Sequence, residues 1–211
     1  MKIKWLGHAS VMIETEGKTI YIDPYEGEYA AKADIVIVTH GHGDHLSPPK
    51  LSLVSKSDTI FVAPKSCAKE LQGNVVQMDV GQKRRFDGIE IEAVHSYNVK
   101  RFRSPGVPFH PKELNIAVII RSEGKILLHA SDTDFIPEMK TLPPIDVAFL
   151  PIGGTYTMDV PEAIEATLTI KPKMVIPIHR RESSIEDFQK QVEAGSTTKV
   201  LGLRPGEELE I

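Results

Sequence analysis

Short aliphatic runs with almost no polar alternation recur along this chain, and they constrain its fold more than any other feature. Residues 35–38 read Ile-Val-Ile-Val. A strand of that composition is apolar on both faces, so other layers must cover it on both sides. Further strand-like runs occupy 59–62, 74–78, 89–94, 116–120, 125–128, 147–150 and 174–176, the one over 89–94 alternating apolar and acidic residues. The opening adds strands over 3–6, 10–15 and 19–22, with Glu16-Gly17-Lys18 as a turn and Asp23-Pro24 as a stop. Helical signals lie mostly between the later strands. A short candidate covers 64–71, and another covers 134–140 but is limited by Pro137. Asp159-Val160-Pro161-Glu162 combines an N-cap, an early proline and an acid three residues on, which predicts a helix to about Leu168. Ser184 caps a helix over 185–194, with Gly195 as its stop. The expected fold class is α/β, with two packed sheets and flanking helices in one domain over 1–211.

Composition narrows the class of function. The 211 residues carry 25 Lys plus Arg against 29 Asp plus Glu, a formal charge of -4 that argues against general nucleic-acid coating. No apolar run approaches the roughly 20 residues of a membrane span. The first residues lack the apolar stretch of a signal peptide. Cys67 is the only cysteine, which excludes an internal disulfide and a thiolate-built metal site. A cytoplasmic protein is expected, with no membrane partner, and assembly of identical copies is left open. Histidine stands out: there are eight, and His40, His42 and His45 fall within six residues.

That cluster reads Thr39-His40-Gly41-His42-Gly43-Asp44-His45 and directly follows the 35–38 strand. Alternate residues of an extended chain point the same way, so His40 and His42 can reach one metal ion. Gly41 and Gly43 offer a tight backbone path that lets Asp44 and His45 approach from another direction. Imidazole and carboxylate donors suit zinc or manganese, and also nickel, iron or cobalt. One His-x-His pair is often a surface coincidence. Four donors in six residues, interleaved with glycine behind a buried strand, are hard to explain as packing.

His40-x-His42-x-Asp44-His45 resembles the signature of the metallo-β-lactamase superfamily of binuclear metal hydrolases. Later landmarks follow in order: His95 after the 89–94 strand, Asp132 after 125–128, and His179 after 174–176. Trp5-Leu6-Gly7-His8 and Asp23-Pro24 also fit, so the resemblance spans nearly the whole chain. The run from Leu150 to Met158 is similar to small metal-dependent hydrolases related to L-ascorbate-6-phosphate lactonase. The resemblance implies an αββα four-layer sandwich of two mixed sheets. It implies that His40, His42 and His95 bind one divalent ion and that Asp44, His45 and His179 bind a second. Asp132 would bridge the two, and Asp44, Asp132 and His179 are the expected catalytic set. Ser131 stands where the family usually has glycine before the bridging aspartate. Serine is small, so a tightened turn is expected there rather than a lost ligand.

The expected chemistry is hydrolysis. A water between two cations loses its proton readily, giving a hydroxide near neutral pH that attacks a small anionic ester, phosphodiester or lactone. Two other classes compete. A di-iron oxidoreductase of this superfamily typically adds a flavin-binding partner domain and has an acid where this chain has His42. A non-catalytic metal-binding protein would be expected to have lost donors.

Other residues point to the cleft less directly. His8 sits at a likely bend between strands and is either structural or in contact with substrate. His129, one residue before Ala130, suits packing or support of the ligands better than ligation. The 97–115 segment carries Lys100, Arg101, Arg103, His110 and Lys112 against one acid, Glu113. It is either a solvated basic loop or a lid that steers an anion, with His110 and Lys112 as preferred contacts. Gly153-Gly154-Thr155-Tyr156 is a plain turn or an anion-binding one, with Tyr156 a candidate hydrogen-bond donor to substrate. Arg180 and Arg181 either add positive field at the rim or are solvated, and Cys67 reads as packing.

Overall fold

The computed structural model describes Met1–Ile211. Two seven-stranded mixed sheets form the centre. The first contains β1 (Lys2–Gly7), β2 (Ser10–Thr15), β3 (Lys18–Ile22), β4 (Ile35–Ile37), β5 (Ile60–Ala63) and β6 (Asn74–Gln77). The second contains β7 (Lys83–Phe86), β8 (Ile89–Val94), β11 (Ala117–Ser122), β12 (Lys125–His129), β13 (Val147–Pro151), β14 (Met174–Ile178) and β15 (Lys199–Val200). A hairpin of β9 (Phe102–Ser104) and β10 (Val107–Pro108) lies apart, and β16 (Glu208–Glu210) returns to pair with β1. The spatial orders are β16-β1-β2-β3-β4-β5-β6 and β15-β14-β13-β12-β11-β8-β7.

Both sheets share a logic invisible in the sequence. In the first, β1, β2 and β3 run antiparallel and β3 through β6 run parallel. In the second, β8, β11 and β12 run antiparallel and β12 through β15 run parallel. Parallel neighbours need crossovers on a face of the sheet, and the helices provide several of them. These are α1 (Pro48–Val54), α2 (Lys65–Ala68), α3 (Val160–Ile170) and α4 (Ile185–Gly195), with a 3₁₀ turn at Pro137–Thr141.

Strand alternation divides the core into three apolar layers. Ile35 and Ile37 of β4 face the space between the sheets, with Ile20, Ile22, Ile91, Val118 and Phe149. Val36 and Val38 face the other way, against Leu51, Val54 and Cys67 of α1 and α2. On the outer face of the second sheet, Leu128, Ala148 and Val175 meet Ile164 and Ala166 of α3 and Phe188 and Val192 of α4. Three apolar layers separate four structural ones, which is the αββα sandwich. No helix is long and apolar enough to cross a membrane.

Caps and ends follow their chemistry. The Asp159 side chain accepts from Glu162 N at 3.0 Å, and α3 runs two residues past Leu168 to a left-handed Lys171. Ser184 Oγ accepts from Asp187 N at 3.1 Å, and α4 takes in Gly195 as its last residue, with Ser196 as an extended C-cap. The expected helix over 64–71 shrinks to the single turn of α2, and that over 134–140 becomes the 3₁₀ turn, because Pro137 can only open it.

Candidate metal centre

The donors gather at the ends of β1, β4, β12 and β14, where the chain leaves both sheets toward one rim. The backbone there is unusual. His8, Asp23, Ser131 and His179 are all non-glycine residues in the left-handed region, with φ between 45° and 58°. Such residues cost energy and persist where the surroundings hold them. The turn expected to need Gly41 and Gly43 does not use their freedom, since neither has a positive φ. It closes instead through His45 N and Leu46 N donating to His42 O at 2.9 and 2.7 Å. Glycine is required at Gly153, where a Cβ would collide with His179 O.

Hydrogen bonds decide which nitrogen of each imidazole is free. Asp23 is the hub. It accepts from Thr39 N at 2.8 Å, Thr39 Oγ1 at 2.6 Å and His45 Nδ1 at 2.7 Å. Since Thr39 donates its hydroxyl hydrogen to Asp23, its oxygen can only accept, from Ser131 Oγ at 2.7 Å and His40 Nδ1 at 3.1 Å. Asn98 Oδ1 accepts from both His110 N and His110 Nδ1 at 2.8 Å. The Nε2 lone pairs of His40, His45 and His110 are therefore left pointing inward.

Three overlapping donor groups result, the third of them His40, His45 and Asp132. His42 Nδ1 lies 3.1 Å from both His40 Nε2 and His110 Nε2. A single hydrogen on His42 satisfies at most one of those lone pairs, whereas a cation among the three satisfies all of them. Tetrahedral zinc with imidazole ligands places its nitrogens about 3.3 Å apart, close to this spacing. The second group is His8, Asp44, His45 and His179. His8 Nε2 lies 3.4 Å from Asp44 Oδ2. Asp132 stands between the first two groups, its Oδ2 3.2 Å from His110 Nε2 and 3.3 Å from His179 Nε2, and its Oδ1 3.4 Å from His45 Nε2. His45 Nε2, His179 Nε2 and Asp132 Oδ1 are buried and have no hydrogen-bond partner. Unpaired buried donors of this kind are costly, and divalent ions fit the vacant valences.

The electrostatics agree with this wiring at His40 and His42 and depart from it at His45, whose Nε2 lone pair is exposed only once its ring gives up a proton. Burial, then His45, pushes the His40 imidazole well below its usual range. Burial and His110 lower His42, and burial with His179 and His45 lowers His8 to about 4. His45 goes the other way: burial opposes its charge, but Asp132 and Asp23 outweigh burial and hold it well above the ordinary range. Burial also opposes ionisation of Asp132, and His45 and His179 overcome it and keep the carboxyl well below its usual value.

The structure corrects several sequence expectations. His95 does not join His40 and His42, and His110 occupies that place. β8 ends at Val94, and its alternation ends with it. Buried Ser96 then reaches the centre, its Oγ donating to Asp132 O at 2.9 Å. His95 turns to the outer layer beside Val94, Leu128 and Met139, with Nε2 3.9 Å from Glu138 Oε1. Lys112 leaves the cleft too, pairing with Glu138 at 2.6 Å over the Tyr97 ring. The Gly154 amide is not free for an anion, because it donates to Met158 O at 3.0 Å. Arg180 is no rim charge. It stacks on Trp5 at 3.9 Å and donates to the carbonyls of Pro177 and Leu203. His129 supports the site from below, with Nε2 donating to Ala9 O at 2.9 Å and Nδ1 accepting from Ser131 N at 3.2 Å. Ser131 keeps the left-handed turn that glycine would adopt freely, and Asp132 remains in the cluster. Tyr156 lines the cleft with His42, Asp44 and Asp132. The supporting roles of Thr39 and Asn98 had no signal in the sequence, and that of Asp23 had only its place at a strand end and the fit of Asp23-Pro24 to the superfamily.

A four-layer αββα scaffold with a His and Asp cluster at its strand ends defines a class, and a family model described as the β-lactamase superfamily domain matches residues 2–179. The chain belongs to that family and, within it, to the UPF0173 metal-dependent hydrolases. A relative of that description from Pelotomaculum thermopropionicum is 33% identical, with both chains covered in full. A crystal structure of a putative metal-dependent hydrolase from Parabacteroides distasonis is 33% identical with a TM-score of 0.86, covering 96% of this chain and 93% of that one. Igni18, a metallo hydrolase from Ignicoccus hospitalis, is 26% identical with a TM-score of 0.83, covering 100% and 98%.

Proposed function

We propose that this chain is a hydrolase working with two divalent ions on a small anionic ester, a phosphodiester or a lactone. The observation that carries this is the set of inward lone pairs: His40 and His110 with their other nitrogens committed, and His42 Nδ1 3.1 Å from both. His40, His42 and His110 would hold one ion. Asp44, His45 and His179 would hold the other, with His8 at its edge and Asp132 between the two. Zinc or manganese suits these donors, as do nickel, iron and cobalt. Bound there, such ions polarise a carbonyl or phosphoryl oxygen and lower the pKa of a water between them.

The protein supplies orientation and charge. Asp23, Thr39 and Asn98 fix ring positions through the hydrogen bonds above. Asp44 and Asp132 offset part of the cationic charge, and the neutral imidazoles leave the remainder to attract an anion. Tyr156, which lines the cleft, would donate its hydroxyl to a substrate oxygen. Both sheets and the 97–115 segment contribute to one centre, which supports a single domain over 1–211. A cytoplasmic setting goes with the lone buried Cys67.

The test is a screen of phosphodiesters, lactones and thioesters against protein reconstituted with zinc, manganese or nickel. Hydrolysis of at least one class is expected, abolished in a folded His42→Ala variant. Undiminished turnover after both ions are stripped would overturn the proposal.

A further inference from the structure

The cleft over the donor cluster has a wall whose chemistry hydrolysis alone does not explain. The cleft holds about 420 Å³, a size for a small molecule. His42, Asp44, His110 and Asp132 form its floor, and Arg103, Phe109 and Tyr156 form its wall.

The wall is tied to the floor. Phe109 immediately precedes His110, whose amide and ring are both held by Asn98. Asn98 Nδ2 also donates to Tyr156 O at 2.9 Å, so one side chain fixes both aromatic residues relative to the donors. Phe109 and Tyr156 meet edge to face, with centroids 4.8 Å apart and planes at 78°. Arg103 lies over the Phe109 ring at 5.8 Å and Arg181 over the Tyr156 ring at 5.3 Å.

The charges nearby sort into two kinds. Lys100 pairs with Glu162 at 3.3 Å, Arg101 with Asp134 at 2.6 Å and Lys112 with Glu138 at 2.6 Å. These cations are spent on holding the segment in place. Arg103 donates only to a backbone carbonyl, Phe109 O at 3.2 Å, and neither it nor Arg181 has a carboxylate partner. Of the basic residues in the 97–115 segment, Arg103 is thus the one left to meet an anion, and it does so beside an aromatic pair.

The geometry points to esters that carry an aromatic ring on an anionic group as the substrate class. The anionic ester would lie on the floor beside Arg103, and its ring would pack against Phe109 and Tyr156. For an aryl phosphodiester, a phosphorus–oxygen bond breaks, the oxygen of water ends on phosphorus, and the departing aryl oxygen takes up a proton. This substrate class rests on the hydrolase proposal, but the binding preference is measured without turnover.

The experiment is calorimetric titration of metal-loaded protein with phenylphosphonate and with methylphosphonate, two probes that share one anionic head and contain no ester. Phenylphosphonate is expected to bind about tenfold more tightly, the size of effect one aromatic contact with its buried area supplies. Phe109→Leu and Tyr156→Leu should each shrink that ratio, and Arg103→Ala, an exposed position, should weaken both probes alike. Equal affinities in the wild type, no binding of either probe, or an unchanged ratio in both aromatic variants would overturn the assignment. A wild-type phenyl preference with no hydrolysis of any substrate would count against the hydrolase proposal and leave the aromatic wall intact.

Discussion

His95 and His110 differ in what their ring nitrogens touch, and that difference predicts different consequences of their loss. His110 is buried, with Nδ1 on Asn98 and Nε2 3.1 Å from His42 Nδ1. His95 is partly exposed, and its nearest carboxylate, on Glu138, is 3.9 Å away. His110→Ala is expected to lower bound metal toward one ion per chain, and His95→Ala to leave it unchanged, as read by elemental analysis of folded protein. His45 predicts a pH effect. In metal-free protein its imidazolium is held above the ordinary value of 6.5 by Asp132 and Asp23 against burial. A raised histidine contributes stability that is fully present below the unfolded value and is lost as pH rises through the folded one. A metal ion needs the neutral ring, so binding at neutral pH should expel about one proton from His45. His8, His40 and His42, all lowered, should contribute none. Calorimetry in buffers of different ionisation enthalpy measures that release, and a buffer-independent enthalpy at pH 7 would contradict it. At this scale the 39–45 cluster was readable because its four donors, His40, His42, Asp44 and His45, lie within six contiguous residues. His110 was visible only as a preferred anion contact in a basic loop, because what pairs it with His42 is a contact across 68 positions.

Among the elements, the segment between β8 and β11 shows how buried charge can order irregular backbone. Arg101 is nearly buried and reaches Asp134, Asp159 and Glu162 at once. Asp134, itself fully buried, also accepts from Val99 N and Lys100 N. Arg101→Met would leave buried Asp134 without its cation and Glu162 with only the exposed Lys100, so a loss of about 3–5 kcal/mol is expected in denaturant unfolding. A change below about 1 kcal/mol would show that the knot is solvent-screened. The aliphatic strands were legible because each must be covered on both faces. β7 was not, since Lys83-Arg84-Arg85-Phe86 has no apolar pattern. It is an edge strand, held by its ladder to β8 and by Lys83–Glu92 and Arg85–Glu90 pairs at 3.2 and 2.9 Å. α1 was missed because Pro48-Pro49 reads as a loop, although the first turn of a helix tolerates proline.

For the whole molecule, the centre joins parts that no single element holds. His8 comes from the turn after β1, the 40–45 cluster from beyond β4, Asp132 from beyond β12 and His179 from the end of β14. Backbone contacts cross between these parts, as where His179 N donates to His8 O at 3.0 Å. Metal should therefore stabilise the entire fold. At a free concentration 100 times its dissociation constant, one ion adds about 2.7 kcal/mol. Thermal unfolding should rise with added metal, by less in His42→Ala, and metal-independent unfolding would contradict ligation across the sheets. By itself the sequence determined the layered α/β class, through apolar runs that need cover on two faces, and the 40–45 donors, through their proximity along the chain. Only the tertiary structure decided that His110, not His95, stands beside His40 and His42, that Asp23 and Asn98 aim the rings, and which cations stay free. Those choices depend on where a strand stops alternating and which distant partner takes each hydrogen, and both are set by packing between segments far apart in the chain.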